Sequence, residues 1–384
     1  MHIAFLTPEY PHELVKHAAG IGTSVKNLVV ALVKNGITVS IFVYGQDEGA
    51  IFQEDGVKIH LIKAQKYKAF GWYFHRKYIQ NYLNKYIVSE AIDLIEAPDW
   101  SGITAFMNLK VPVVIRFHGS DTYFCHLEQR KQKLKNFWFE KWAVMKADAF
   151  IAPTSFAGEL SKELFGIKNK TIKTIYHGLE LDQFENTNPL AYEKGVILYI
   201  GTLIRKKGVL ELPAIFNKVR NKYPEARLVL IGNDSYDIKT NFKSTWELMQ
   251  QGCSSEDLRA ISYLGKIPYQ EVKEYLKKSH ICIFPTFAET LGMVTIESMA
   301  LHKPVVNSNI GWAQELLVDG ESGYLVHPKD HDMFANKIIS LLLDEDLCQI
   351  IGAAARRRVE TNFDIEKIAK LNIGFYKSII NFDF

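Results

Sequence analysis

Two glutamates eight positions apart, Glu289 and Glu297, carry the clearest chemical signal in the chain. They belong to the stretch Ile283–Ala300, in which an apolar strand, Ile281–Phe284, is expected to end at a proline and a helix to begin near Met293. The first N–H groups of a helix have no helical partner and suit an anion, whereas carboxylates suit hydroxyl groups. This pattern favours a ligand that has both phosphates and hydroxyls, such as a nucleotide-sugar.

A run of three cations, Arg205-Lys206-Lys207, is the second candidate for chemistry. It follows the predicted strand Val196–Ile200 and precedes Gly208. Cations at the carboxyl end of a parallel strand indicate diphosphate binding. Most charge runs are solvated turns, so the interpretation as a phosphate site depends on Ile283–Ala300 in the same half of the chain.

Two features of the N-terminal half have weaker patterns. Gly20-Ile21-Gly22 begins like a dinucleotide fingerprint, but Val25 replaces the third glycine and no acid ends the second strand. We expect either a mobile loop near a phosphate or an acceptor, or a flexible glycine hinge into a helix that begins at Ser24. His118 follows the apolar strand Val111–Phe117, where ligands bind in such sheets, although a lone histidine is more often an ordinary turn residue.

Two Asp-x-Asp patterns, at Asp330–Asp332 and Asp344–Asp346, have the chemistry to hold Mn²⁺ or Mg²⁺. Both precede predicted helices, where capping and the helix dipole explain acidic residues more simply. We therefore predict no metal and no other cofactor.

Two stretches, residues 63–85 and 130–142, are rich in lysine and aromatic side chains. Such a composition suits an anionic membrane face or a lipid-linked acceptor. It also suits stacking on nucleic acid, and an ordinary helix with core aromatics and solvated lysines explains it slightly better. The sequence leaves these alternatives open.

Length and composition set outer limits. The 384 residues are enough for two α/β domains, and a formal charge of +3 does not by itself indicate nucleic acid, which we do not expect as a partner. The four cysteines are scattered, as in a reducing compartment. The sequence predicts no signal peptide and no membrane-spanning run, so we expect a cytoplasmic protein that is able to touch a membrane surface.

Strands alternate with helices throughout, which predicts an α/β fold of two Rossmann-like, doubly wound domains facing a central cleft. We place the N-terminal, acceptor-side domain at residues 1–183 and a polar linker at 184–194. The donor domain follows at 195–363. A C-terminal helix at 364–384, whose apolar spacing extends over Ile365–Ile380, is expected to cross back to the N-terminal domain.

Taken together, these motifs resemble the retaining GT-B glycosyltransferases of family 4. The most specific element is E-x7-E, met by Glu289 and Glu297, within P-T-F-A-E-T-L-G-M-V-T-I-E-S-M-A. The supporting elements are A-G-I-G-T, R-F-H-G-S-D, Y-I-G-T-L-I-R-K-K-G, L-V-L-I-G-N-D, Y-L-G-K-I-P and D-G-E-S-G-Y-L-V. The chain departs from the family at Thr202, where arginine is frequent, at His177, where asparagine is frequent, and at Thr290, where glycine is usual.

The resemblance implies a role for each matching residue. Lys207, with Arg205, would neutralise the donor diphosphate, and Glu297 would hold the ribose hydroxyls. Glu289 would face the sugar ring near its C3 and C4 hydroxyls. The resemblance also implies donor contacts from the Gly201-Thr202 loop and from the helix start at Thr290, Leu291, Gly292 and Met293. Ile267 would contact the base. From the N-terminal domain, Gly20, Gly22 and His118 would approach the donor.

The function implied is retaining, metal-independent transfer of a hexose from a nucleotide-sugar to a glycan or a lipid-linked oligosaccharide in polysaccharide biosynthesis. UDP-glucose or another UDP-hexose is the expected donor. Two alternatives remain open from the sequence: a sugar-nucleotide epimerase of the same fold, and a two-lobed sugar-binding protein without catalysis.

Overall fold

The computed structural model describes residues 1–18 and 20–381. The chain divides into two compact units, one formed by residues 1–180 with the segment that begins at Asp364, and the other by Leu181–Phe363. Segment 184–194, which we predicted to be a linker, is held on the second unit. Asn186 donates a hydrogen bond to the carbonyl of Leu301, and the N–H of Glu193 donates to the carbonyl of Lys278.

The elements of each unit alternate as the sequence predicts. In the first unit they are β1 (His2–Thr7), α1 (Gly20–Lys34), β2 (Thr38–Gln46), β3 (Ala50–Glu54), β4 (Val57–Lys63), α2 (Gly71–Ser89), β5 (Leu94–Pro98), β6 (Val113–Arg116), α3 (Asp121–Leu127), α4 (Leu134–Lys146), β7 (Ala149–Ala152), α5 (Ser155–Phe165) and β8 (Ile172–Thr174). In the second they are β9 (Val196–Ile200), α6 (Leu212–Arg220), β10 (Arg227–Ile231), α7 (Thr245–Gln250), α8 (Ser255–Arg259), β11 (Ile261–Tyr263), α9 (Tyr269–Lys278), β12 (Ile281–Phe284), α10 (Met293–Ala300), β13 (Val305–Ser308), α11 (Ala313–Leu316), β14 (Tyr324–Val326), α12 (His331–Leu343) and α13 (Glu345–Asn362). The final helix, α14 (Ile365–Ile380), returns to the first unit.

The described part of the first unit contains an eight-stranded sheet in the order β3-β4-β2-β1-β5-β6-β7-β8, with only β3 antiparallel to its neighbour. Residues 181–363 form a six-stranded sheet in the order β11-β10-β9-β12-β13-β14, in which every pairing is parallel. The prediction of two parallel-sheet α/β domains is confirmed. In both sheets the strand order reverses beside the first strand, which is where such sheets bind ligands.

Apolar residues on both faces of the first sheet explain why it is doubly wound. One face packs on α1 and α14, with Val29, Leu32 and Ile368 in the same core as β1. The other face packs on α2 through Ile79 and Leu83. The C-terminal helix therefore completes the core of the first unit, and its sequence bounds are those predicted from its apolar spacing.

Three elements were absent from our predictions, and each has a local signal. Strand β3 forms a hairpin with β4 across Asp55-Gly56, both with positive φ, as an Asp-Gly hairpin requires. Helix α3 is capped by Ser120, which accepts from the N–H of Tyr123. Helix α7 is preceded by Ser244, whose hydroxyl accepts from the N–H of Glu247, so Ser-x-x-Glu marks the helix start.

Candidate active site

The strongest candidate site lies at the switch point of the second sheet, between β9 and β12. The loops that follow these strands are joined through their backbones: the N–H of Phe287 donates to the carbonyl of Lys206 at 2.8 Å. Gly208 has φ +74°, and a Cβ at this position would lie 1.7 Å from the carbonyl oxygen of Pro285. Only glycine allows this approach, so the cationic loop and the glutamate loop are packed as one structure.

Lys207 and Glu289 meet across these two loops. The ammonium of Lys207 donates to Oε1 of Glu289, and both side chains are about one-fifth exposed. They border a small recess whose other lining residues include Tyr199 on β9, Thr295 on α10, Asn307 on β13 and Trp312 directly before α11. The pair is therefore accessible to a ligand but largely shielded from bulk water, which strengthens its electrostatic interactions.

Helix α10 begins beside this pair. Gly292 adopts φ +100° directly before Met293, and no acidic side chain lies in the first turn of the helix. The unpaired N–H groups of that turn and the helix dipole favour an anion there. Leu291 and Thr290 are buried, so they fix the loop, and their backbone is the part available to a ligand.

Glu297 lies on the same helix but has a different environment. It is 8% exposed, and Tyr269, the first residue of α9, donates its hydroxyl to Oε1 at 2.7 Å. Burial raises the pKa of Glu297 to about 7, against the opposing effects of Tyr269 and Lys273. A half-neutralised carboxyl held by one phenol retains acceptor capacity for hydroxyl groups of a ligand.

Arg205 does not share the environment of Lys207. Its guanidinium makes a bidentate pair with Asp237, at 2.9 and 2.8 Å, and Asp237 is 2% exposed. The hydrogen bonds from Arg205 lower the pKa of Asp237 to about 2. The sequence suggested Arg205 as a second diphosphate cation, whereas in this structure it neutralises a buried carboxylate 32 positions later.

The remaining predicted donor contacts lie along the same sheet edge. Thr202 is exposed, and its carbonyl accepts from the hydroxyl of Tyr199 at 3.4 Å. The N–H of Gly232 donates to the carbonyl of Gly265 at 2.9 Å. This bond joins the loop after β10 to the loop after β11, which contains the half-buried Ile267. The carboxyl ends of β9, β10, β11 and β12 thus collect every donor-side residue that the sequence singled out.

In the first unit, the glycine pair is helical. Gly20 and Gly22 lie in the first turn of α1, so the expectation of a loop up to Gly22 and a helix from Ser24 was wrong. The reason is a tertiary cap: the N–H of Gly22 donates to Oε1 of Glu9 at 2.9 Å. A Cβ on Gly22 would lie 3.0 Å from the backbone of Glu9 and Tyr10, so glycine permits the helix to start against this segment.

His118 follows β6 and stacks on His177, with ring centroids 5.3 Å apart and planes 9° from parallel. Burial, the second histidine and Arg116 hold the pKa of His118 well below its usual 6.5, and burial lowers the pKa of His177 to about 3. Both rings are therefore neutral near pH 7. Nδ1 of His177 shares a 2.9 Å hydrogen bond with the hydroxyl of Ser24 on α1.

Two buried acids, Glu96 on β5 and Asp99 directly after it, hold the segment Arg116–Gly119, and the sequence analysis missed both. Asp99 accepts the N–H groups of His118 and Gly119, at 2.9 and 3.3 Å, and burial raises its pKa to about 7. Glu96 receives Arg116 in a bidentate pair at 2.7 and 2.9 Å. The carboxyl end of β5, where the first sheet reverses its strand order, was the signal that would have found them.

The Asp-x-Asp patterns serve as helix caps. Asp330 accepts from the N–H of Met333 and Asp344 from that of Leu347, as the capping interpretation predicted. Within residues 1–18 and 20–381, no group of three or more potential metal-ligating side chains is clustered. Nor does any helix in these ranges combine the length and apolarity that crossing a bilayer requires.

Comparison with known proteins agrees with this architecture. Residues 182–358 match the family described as "Glycosyl transferases group 1", and residues 18–183 match "Glycosyltransferase Family 4". Glycogen synthase of Mycobacterium tuberculosis is 27% identical over 62% of this chain, and the chain spans 56% of the length of that relative. Sucrose-phosphate synthase of Thermosynechococcus elongatus superposes with a TM-score of 0.81 at 22% identity, covering 98% of each chain.

A third similar protein is HepE of Anabaena, solved in complex with UDP and glucose, with a TM-score of 0.73 and 16% identity over 98% of this chain and 100% of that one. The two family models together account for most of the sequence, and the fold is that of GT-B enzymes. The chain therefore belongs to the group 1 glycosyltransferases.

Proposed function

We propose that this glycosyltransferase moves a hexose from a UDP-sugar, with UDP-glucose as the first candidate, to a glycan or lipid-linked oligosaccharide, with retention of configuration. The observation that carries the proposal is the Lys207–Glu289 pair beside the start of α10. Its support from relatives is the glycogen synthase similarity for a glycan acceptor, and the UDP and glucose of the HepE complex for the donor.

The chemistry follows from the charges. As the bond between the sugar and the β-phosphate breaks, negative charge accumulates on the departing UDP. The ammonium of Lys207 has three donors, so it is able to bind a phosphate oxygen while it still holds Glu289. The N-terminal N–H groups of α10 stabilise the same charge, and such preorganised donors are the largest source of catalysis in many enzymes. The carboxylate of Glu289 then accepts from hydroxyls of the transferred sugar.

Glu297 has the complementary task in this proposal. It lies on α10, the helix whose first N–H groups are assigned to the phosphates, and Tyr269 positions its carboxyl. We therefore assign Glu297 to the ribose hydroxyls. No step of this mechanism uses a metal ion. In this proposal the acceptor hydroxyl attacks on the face of the leaving group, which retains the configuration, and the departing phosphate takes the proton of that hydroxyl.

The proposal is tested first by thermal shift with UDP-, GDP- and ADP-sugars. A ligand at one hundred times its Kd stabilises the folded state by about 2.7 kcal/mol and so raises Tm. At equal concentrations, the sugar-nucleotide that binds most tightly gives the largest rise in Tm, which identifies the donor. The Lys207→Ala variant should lose most of that rise in Tm. The Lys168→Ala variant, which removes an exposed lysine from the loop between α5 and β8, should keep it.

Transfer itself is then assayed with the identified donor and a panel of oligosaccharides, with and without EDTA. We expect product formation that EDTA does not reduce, with the anomeric configuration of the donor retained in the product by NMR. Free sugar or an epimer in place of a glycoside would identify an epimerase. Binding with no turnover of any kind would favour a sugar-binding protein, and inhibition by EDTA that Mn²⁺ reverses would refute metal independence.

A further inference from the structure

An exposed aromatic groove lies on the first unit, on α2 and α4. It has a volume of about 480 Å³ and is lined by Trp72, Lys135, Trp138, Phe139 and Trp142. The rings form a continuous series: Trp72 lies 5.1 Å from Phe139, and Trp138 lies 5.9 Å from Trp142, between centroids. We call these five residues the aromatic groove.

The groove has a rigid floor. The guanidinium of Arg76 lies 4.4 Å from the centre of the Phe139 ring and donates to the carbonyls of Trp72, Ser101 and Gly102. Arg76 is itself 7% exposed, so it serves as a buried support that connects the two helices. The exposed tryptophans are therefore held in place by packing and do not depend on a ligand for their position.

Further exposed apolar side chains lie on α4 and directly before α2. Leu134 is 76% exposed, Met145 61% and Phe70 67%. On α4, the exposed residues Leu134, Trp138, Trp142 and Met145 recur at intervals of three or four, so they share one face of the helix. Monomeric soluble proteins expose single apolar residues, whereas an apolar face of this kind marks an interaction surface.

The two stretches of chain that carry these rings have surface charge of a single sign. Residues 63–89 contain no aspartate or glutamate, and residues 129–146 contain only Glu140. Glu140 is 1% exposed and accepts the N–H groups of Asp121 and Thr122, so it contributes no surface charge. The exposed lysines on these stretches are Lys63, Lys66, Lys68, Lys85, Lys131, Lys133, Lys135 and Lys146.

We propose that the aromatic groove and its lysines dock this glycosyltransferase on an anionic lipid bilayer. Tryptophans enter the interfacial region of a bilayer, and lysines beside them bind anionic headgroups. A glycan is also able to stack on these rings, but its hydroxyls need several acceptors, and the lining residues of the groove offer no carboxylate, amide or hydroxyl side chain. Single-stranded nucleic acid would stack on the rings, but it would leave Leu134 and Met145 without a partner.

The test is sedimentation of the full-length protein with vesicles of phosphatidylcholine alone or with one-third phosphatidylglycerol. Without any sugar donor, the protein should bind the anionic vesicles, and added salt should weaken binding. The variant Lys131→Ala/Lys133→Ala/Lys135→Ala should lose about a hundredfold in partitioning, since each lysine near an anionic surface contributes about fivefold. A matched control, Lys168→Ala/Lys222→Ala/Lys239→Ala, removes three exposed lysines elsewhere and should bind as the wild type does.

A second pair of variants separates the rings from the charge. Trp138→Ala, at a half-exposed side chain, should weaken binding at high salt, whereas Ile350→Ala, equally apolar and 64% exposed on α13, should not. Three results would overturn the proposal. The first is an equal loss of vesicle binding in both triple-lysine variants, the second is no binding of the wild type to anionic vesicles, and the third is tighter binding to single-stranded RNA than to vesicles. Because binding is measured without donor, it succeeds or fails independently of the proposed transfer reaction, and a Tm equal to that of the wild type shows that each variant is folded.

Discussion

The ammonium of Lys207 donates to the carboxylate of Glu289 and so joins two loops that are 82 positions apart in the chain. One loop follows β9 and the other follows β12, the two strands between which the second sheet reverses its order. The contact places a cation, a carboxylate and the start of α10 at one point. The two glutamates of the E-x7-E pattern also have different partners: Glu289 contacts Lys207, and Glu297 contacts Tyr269.

Replacement of Lys207 by alanine should reduce kcat about 10²–10³-fold, the usual consequence of losing one donor to a developing anion. The matched control is Lys222→Ala, which removes an exposed lysine of the same unit just after α6. Initial rates with saturating UDP-sugar would decide the matter. Equal rates for Lys207→Ala and the wild type, with both folded, would remove Lys207 from the mechanism.

Glu297 should make donor affinity depend on pH. Its pKa of about 7 lies above the ordinary 4.5, so below pH 7 the carboxyl is mostly protonated and loses an acceptor for ribose. UDP-glucose should therefore bind about tenfold more weakly at pH 6 than at pH 8, measured by calorimetry. The diphosphate of this ligand does not titrate in that range, and Glu297→Gln should give a flat profile.

The raised pKa of Glu297 has the opposite effect on stability: donor affinity should rise with pH, whereas the free energy of unfolding should fall. Because folding raises the pKa of Glu297, the folded state binds more protons than the unfolded state between pH 4.5 and 7. The stabilisation from this group is fully present below pH 4.5 and is lost as the pH rises through 7. Urea unfolding of the wild type should therefore show this loss relative to Glu297→Gln; parallel pH profiles for the two proteins would contradict the assignment.

Gly208→Ala should unfold or strongly destabilise the second unit. Two costs add at this position: a left-handed φ of +74°, and a Cβ that would lie 1.7 Å from the carbonyl oxygen of Pro285. Gly36 has nearly the same φ, +75°, but no atom within 4 Å of its Cβ position, so Gly36→Ala measures the first cost alone, about 1–2 kcal/mol. We expect Gly208→Ala to cost roughly 4 kcal/mol or more in denaturant unfolding. Equal losses for the two variants would mean that the loops are able to separate.

Tyr376→Phe should destabilise the first unit by about 1–3 kcal/mol. The hydroxyl of Tyr376 on α14 donates to Glu96 at 2.6 Å and receives Arg116 at 3.3 Å, and all three side chains are buried. Loss of the hydroxyl leaves the buried carboxylate with one donor fewer. Leu371→Ala on the same helix, at a side chain that is 51% exposed, should change the free energy of unfolding by no more than about 0.5 kcal/mol.

Local patterns predicted most elements of the fold. The apolar run Ile281–Phe284 and the helix Ile365–Ile380 have the bounds that their periodicity indicates. The position of these motifs at one sheet edge also followed from the sequence, because parallel strands bring their carboxyl ends to one edge and the motifs stand after strands. The roles of these residues toward a donor, including the effect of Thr290 on the sugar, are still predictions.

Partners distant in the chain were beyond those patterns. The charge of Arg205 suggested a phosphate contact, but its geometry is decided by Asp237, whose burial demands a bidentate cation. The glycines of α1 suggested a loop, but Glu9 caps them as a helix.

The sequence by itself therefore determined the class of fold, the alternation of elements and the sheet edge that carries the candidate site, because these depend on apolar spacing and on residues close to strand ends. The tertiary structure alone decided which charges pair. Lys207 meets Glu289, Arg205 meets Asp237, and Arg116 meets Glu96. Spacing along the chain does not encode these pairs, since each is set by burial, which forces a charged group to take whatever partner the packed elements bring near it.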